Sequence, residues 1–187
     1  MLKVLMIVGS LRGNSFNFAL AQEIQKIIGN RAEVSYLDYS DIPYMNQDGE
    51  SPAPDAVVRV REEVKKADGI WICSPEYNGS IPGVLKNLLD WLSRPFMQGD
   101  AQVSAVVKGK MVTISSVAGK SAGSGVRANL AQVVEAMRMT LIGDKGTGIT
   151  LQGEAFAIDS ATFHDEDIKA IKSQVDEFLK VLAMEEK

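Results

Sequence analysis

The chain has 187 residues, a formal net charge of −4, 45% hydrophobic and 24% charged residues and a pI near 5.1, the profile of one globular domain able to bury roughly 70% of its unfolded surface. One cysteine and one histidine exclude an intrachain disulfide and fall short of the three or four ligands that a zinc site takes. The 20 Lys and Arg are scattered among 24 acids, which argues against nucleic acid as a partner, and the apolar start is too short for a membrane span and lacks a cleavage site, so a cytoplasmic protein is expected.

Residues 2–8 are a continuous apolar run with Lys3 near its start, as expected for a strand buried on both faces of a parallel sheet. A Gly-rich polar loop follows. From 17 to 28, Leu20, Ile24, Ile27 and Ile28 fall at helical spacing, with Ser15 as N-cap and Gly29 as stop. Residues 33–37 alternate like a strand. Residues 38–55, with Pro43, Asn46, Gly49, Pro52 and Pro54, are too long for a plain connection and are expected to form a rim or contact surface. Val57, Val60, Val64 and Ala67 line a helix that Asp55 would cap, and residues 69–73 form the third strand.

Residues 82–92 predict a helix with Leu85, Leu88, Leu89 and Leu92 on one face, Pro82 in its first turn and Pro95 ending it. Residues 111–117 form the fourth strand. Val126, Leu130, Val133, Val134 and Met137 mark a further helix, and 139–142 with 149–151 give one broken or two short final strands. Ile168, Ile171, Val175, Phe178, Leu179 and Leu182 keep helical register from Asp165 nearly to the fraying terminus at Glu185, Glu186 and Lys187. Strands alternating with helices predict one three-layer α/β domain over residues 1–187, its five-stranded parallel sheet between two helical layers.

Three loops carry the chemistry. The first, residues 9–17, joins the first strand to the first helix, where free N–H groups and the helix dipole favour an anion. Ser10, Ser15 and Asn17 add neutral donors and Arg12 a charged one. Leu11 stands where a dinucleotide fingerprint needs glycine, and no Gly-Lys-Ser or Gly-Lys-Thr follows. Several neutral donors with one cation suit a single phosphate monoester better than a triphosphate, and the alternative is a plain polar turn with a serine cap.

The second loop, Ser74-Pro75-Glu76-Tyr77-Asn78-Gly79-Ser80-Ile81-Pro82-Gly83, leaves the third strand. In a sheet of order 2-1-3-4-5 the first and third strands straddle the switch point, so these loops wall one crevice. Tyr77 offers a flat ring, and exposed backbone groups suit the edge of a planar heterocycle.

The third loop spans residues 115–125. Gly119-Lys120-Ser121-Ala122-Gly123 matches a nucleophile elbow, with Asp144 or Asp159 and then His164 in hydrolase order, yet Ser121 lies mid-loop rather than on a tight strand-to-helix turn. The serine hydrolase stays as a remote alternative. Cys73 reads as a small buried strand residue, His164 as a solvent-facing or capping residue, and Trp71 and Trp91 as core or subunit contacts.

With these loops in place the sequence resembles the NADPH-dependent FMN reductase family of flavodoxin-like proteins, which includes quinone, chromate and azo-dye reductases. The first loop resembles the family's G-S-L-R-x-x-S-x-N signature through Gly9, Ser10, Leu11, Arg12, Ser15 and Asn17. The second resembles its P-E-Y-N-G-S-I-P-G-x-L-K-N segment and the D-W-x-S-R that follows, through Pro75 to Gly83, Leu85, Lys86, Asn87, Asp90, Trp91, Ser93 and Arg94. The third departs from the family's S-x-S-P-G, reading Ser116-Val117-Ala118-Gly119-Lys120.

The resemblance implies a flavodoxin-like fold and bound FMN. Ser10, Arg12, Ser15 and Asn17, with Phe16 beside them, are expected at the phosphate, and Pro75, Glu76, Tyr77, Asn78, Gly79, Ser116 and Val117 at the isoalloxazine ring. It further implies NADPH or NADH as co-substrate and a small-molecule acceptor such as a quinone, azo compound, metal oxyanion or free flavin. A flavodoxin-like electron carrier without NAD(P)H turnover is the alternative. A homodimer or homotetramer is implied, with the helix from Pro82 near an interface and the loop around Pro43, Tyr44 and Asn46 over a partner's flavin. Residues 96–108 form a stretch longer than the family's usual one.

Overall fold

The computed structural model describes residues 1–95 and 105–185. The expected insertion falls largely on residues 96–104, outside the described residues, as do Glu186 and Lys187. Among the described residues six parallel strands make one sheet: β1 (Lys3–Val8), β2 (Glu33–Tyr36), β3 (Gly69–Cys73), β4 (Met111–Ala118), β5 (Thr140–Leu141) and β6 (Thr147–Thr150). Their order is β2-β1-β3-β4-β5, with β6 also paired to β4. The helices are α1 (Phe16–Ile28), α2 (Asp55–Lys66), α3 (Gly83–Leu92), α4 (Ser124–Ala136), α5 (Gly153–Ile158) and α6 (Asp165–Glu185).

The continuous apolar strands are explained by helices on both faces. Val4, Met6, Trp71 and Cys73 pack under α1 and α6 with Leu20, Ile24, Val175 and Phe178. The alternate residues Leu5, Ile7, Ile70 and Ile72 meet Val60, Val64, Leu85, Leu88 and Leu130 of α2, α3 and α4. Such two-sided burial is what period-2 geometry demands of a central strand. Trp71 and Trp91 are both core residues, as expected, and Trp71 sets its ring edge-on to Phe178 at 5.3 Å. Cys73 is fully buried, and burial pushes its thiol pKa up, away from reactive chemistry.

Two local expectations shift. Asp55 is the first residue of α2 rather than its cap, since Pro54 takes the N-cap position and brings no side-chain acceptor. Pro82 likewise sits just before α3 instead of inside it. The final strand is two short pieces on one edge: β5 pairs with Met111 and Val112, and β6 with Ser115 to Ala118. Between them the chain turns at Gly146, φ +64, where a Cβ would lie 1.7 Å from the Ile114 carbonyl oxygen. That carbonyl accepts instead from Gln174 Nε2 at 2.9 Å, so a side chain of α6 satisfies the backbone group that the interrupted strand passes by.

The long 38–55 loop lies on α3. Asn87 Nδ2 and Trp91 Nε1 both donate to the Pro43 carbonyl, and Asn87 Oδ1 accepts from Met45 N–H. Tyr44, next to this anchor, is 90% exposed.

Candidate functional site

β1 and β3 end at one level, Val8 in register with Cys73, while β4, in register with Cys73 at Ser115, continues beside them to Ala118. The ends are tied by Gly9 N–H donating to the Cys73 carbonyl at 2.8 Å and Ser74 N–H to the Ser115 carbonyl at 3.0 Å. The three chemically interesting loops therefore leave the sheet side by side at its carboxyl edge. Between them lies a cleft of about 270 Å³ lined by Ser10, Arg12, Ser15, Phe16, Asn17, Pro75, Glu76, Tyr77 and Val117, together with Ala118, Gly119, Leu151 and Phe156.

At one end, Ser15 caps α1: its hydroxyl oxygen accepts from Phe18 N–H at 3.4 Å, and the N–H groups of Phe16 and Asn17, the first two of the helix, have no intrahelical acceptor. The Ser10 hydroxyl accepts from Arg12 N–H at 3.2 Å. The Arg12 guanidinium lies 5.4 Å from the centroid of the Phe16 ring and forms an ion pair with Asp159, to which Asn14 Nδ2 also donates. Arg12 and Asn14 hold the Asp159 carboxyl below its ordinary range.

Asn17 is 2% exposed and spans α1 and β4. Its Nδ2 donates to the Val117 carbonyl and its Oδ1 accepts from Val117 N–H, both at 2.9 Å. This reciprocal pair fixes the floor of the cleft, while a second amide N–H remains on Nδ2.

The opposite wall is built around Asn78-Gly79. Tyr77 and Ser80 exchange backbone hydrogen bonds of 3.1 and 3.0 Å, and Asn78 and Gly79 both have positive φ, as a type I′ turn requires. This turn presents Tyr77, 52% exposed, at the mouth. Behind it, Asn129 Nδ2 donates to the Gly79 carbonyl and the Ser80 hydroxyl. The Glu76 carboxylate turns toward α4, accepting from Val126 N–H at 2.9 Å. That bond foremost, then the Ser121 hydroxyl, Gly125 N–H and the charge of Arg127, holds its pKa below the ordinary range.

Glu76 thus supplies the cap that α4 lacks locally, because the N-cap residue itself is Gly123. Gly125 allows this close approach: a Cβ there would meet the Gly79 carbonyl oxygen at 2.4 Å and Glu76 Oε2 at 2.9 Å.

Nine of the twelve expected contact residues line the cleft, and the other three stand behind it. Asn78 and Gly79 form the turn, and Ser116, fully buried, donates to the Ser74 carbonyl at 2.6 Å beneath the two loops. The sequence reading missed Ala118, Gly119, Leu151 and Phe156 on the lining and the whole of α5. Six residues are too few to display a helical period. The hydrolase arrangement is not assembled among the described residues. Ser121 donates to Glu76, Asp159 is held by Arg12 and Asn14, and His164 N–H donates to Asp167 at the start of α6.

Residues 2–151 match the family described as NADPH-dependent FMN reductase. The chain belongs to that family. A 2-hydroxy-1,4-benzoquinone reductase from a Burkholderia species is 41% identical over 97 residues, 52% of this chain and 53% of that protein, so the alignment spans about half the relative's length. A quinone reductase from Pseudomonas putida is 35% identical over 130 residues, 68% of each protein. Among solved structures, FerB, a flavoenzyme NAD(P)H:(acceptor) oxidoreductase from Paracoccus denitrificans, superposes with a TM-score of 0.85 over 98% of both chains at 28% identity. The fold is flavodoxin-like, and among the described residues no helix is long and apolar enough to cross a membrane.

Proposed function

We propose that the chain acts as a single FMN-dependent NAD(P)H oxidoreductase unit that reduces small-molecule acceptors, with quinones as the first substrate class to test. One observation carries the reading: a cleft with an anion-holding loop at one end and a stiffened turn bearing an exposed tyrosine at the other. The donor set fits a phosphate monoester, since the chain's own Asp159 carboxylate already sits on Arg12 and Asn14.

Ser10, Arg12, Ser15 and the α1 N-terminus would hold the phosphate, with the spare Nδ2 hydrogen of Asn17 and the ring of Phe16 beside it. Pro75, Tyr77 and the backbone of Asn78 and Gly79 would receive the ring system over Val117, and Ser116 and Glu76 act behind them by fixing the loops. FMN bound there supplies hydride and electron transfer chemistry. The protein's residues bind, orient and present backbone dipoles, and no side chain is assigned as general acid or base. The exposed Tyr44 supports a homo-oligomeric assembly, which a strictly monomeric, fully active protein in light scattering would contradict.

Arg12→Ala removes a charge-assisted contact worth about 1.5 to 3 kcal/mol, so the FMN Kd is expected to rise about 10- to 100-fold in a fluorescence titration. An unchanged Kd removes Arg12 from the phosphate site. Steady-state oxidation of NADPH or NADH with a benzoquinone is expected, whereas bound flavin without nucleotide turnover would mark an electron carrier.

A further inference from the structure

The family match ends at Leu151, and the segment just beyond folds back onto the phosphate end of the cleft. α5 sets Phe156 edge-on against Phe16, with ring centroids 5.4 Å apart and planes at 90°. Asp159 ends α5 in the left-handed region, φ +54, its N–H donating to the Ala155 carbonyl. That cap fixes the Asp159 backbone and sends its carboxylate to Arg12 and Asn14. Both members of the ion pair are about half exposed, with side-chain exposures of 48% for Arg12 and 44% for Asp159, so water competes for each and the pair is weak and exchangeable.

We propose that Asp159 is an affinity-setting residue of the flavin site, a tethered carboxylate that occupies Arg12 and Asn14 until a phosphate monoester displaces it. The inference rests on the flavin reading above. A phosphate monoester carries more charge than a carboxylate and offers three strong acceptor oxygens, so it wins the exchange. It does so against the loss of the resident pair and the repulsion of a carboxylate that the α5 cap holds nearby. The penalty falls on the phosphate end of the ligand alone, because the ring wall makes none of these contacts.

The test is fluorescence titration of the flavin-free 187-residue chain with FMN and with riboflavin, which has the same ring and no phosphate. For Asp159→Asn the FMN Kd is expected to fall about 2- to 5-fold, the equivalent of freeing a half-exposed ion pair, while the riboflavin Kd stays unchanged. In an Arg12→Ala background the tightening of FMN by the same substitution is expected to shrink but persist, because the Asn14 contact and the carboxylate's repulsion remain. Asp159→Ala, which also removes the acceptor for Asn14, is expected to follow Asp159→Asn.

An FMN Kd that is unchanged or raised in Asp159→Asn, while Arg12→Ala still weakens FMN, overturns the competitor role and leaves the flavin site standing. Arg12→Ala without effect on FMN overturns the competitor role and removes Arg12 from the phosphate site, whereas a wild-type chain that binds no FMN overturns the flavin reading itself. Equal tightening of FMN and riboflavin places the effect on the ring end and also overturns the proposal.

Discussion

The two ends of the cleft are held by different kinds of contact. The ring wall is braced from behind: Glu76 on the α4 N-terminus, Asn129 on Gly79 and Asn17 on Val117 place polar side chains against backbone groups of other elements. The phosphate wall is closed by one half-exposed ion pair between Arg12 and Asp159. Bracing against backbone groups gives a surface whose shape is set before a ligand arrives, and an exposed pair gives donors that a better anion can claim. Changes behind the ring wall are therefore expected to alter folding stability, and changes at the phosphate wall to alter ligand affinity with little effect on folding.

The largest effect on stability is expected from Gly125→Ala. Its Cβ would meet a backbone carbonyl of the Tyr77–Ser80 turn at 2.4 Å, and carbonyl and helix cannot both keep their places. A loss of about 1 to 3 kcal/mol in urea unfolding is expected, with weaker binding of both FMN and riboflavin. An unaltered midpoint would mean that the turn and α4 are not braced against each other.

Glu76→Ala comes next, with about 1 to 2 kcal/mol expected from loss of the α4 cap. It carries a pH signature. The folded-state pKa of Glu76 is lowered, chiefly by the Val126 N–H, so the unfolded chain binds more protons as pH falls. The stabilisation is present above the ordinary carboxylate pKa of about 4.3 and is lost as pH drops through the folded value. Acid unfolding curves of wild type and Glu76→Ala are expected to draw together as pH falls below the ordinary carboxylate value and through the lowered folded one; a gap that stays constant across this range would show that the carboxylate charge is not what caps α4.

Asp159→Asn is expected to have the smallest effect on stability, with little change in the unfolding midpoint, because both partners are exposed to water. A thermal shift as large as that of Glu76→Ala would erase the distinction between the two walls.

Much of this site was legible in the sequence because its signals are local. The apolar run of β1, the Gly-Ser-Leu-Arg loop and the start of a helix near Pro82 each announce themselves within a few residues, and the strand order then brings the loops together. What escaped depends on pairings far apart in the chain. Arg12 and Asp159 are separated by 147 positions, Asn17 and Val117 by 100, and Glu76 and Val126 by 50. No periodicity records such pairs. Asn17 and Glu76 stood out as ligand contacts, and the structure shows how their polar groups also brace the cleft. Asp159 stood out only as a partner for Ser121, since its salt-bridge partner lies across the fold.

The most direct test of the flavin reading is a visible spectrum of the protein loaded with FMN, desalted, and mixed anaerobically with NADPH or NADH. Retained flavin bands that bleach rapidly with one of the nucleotides are the predicted result. Protein that emerges from desalting without flavin bands, or flavin that stays oxidised with both nucleotides, would contradict it.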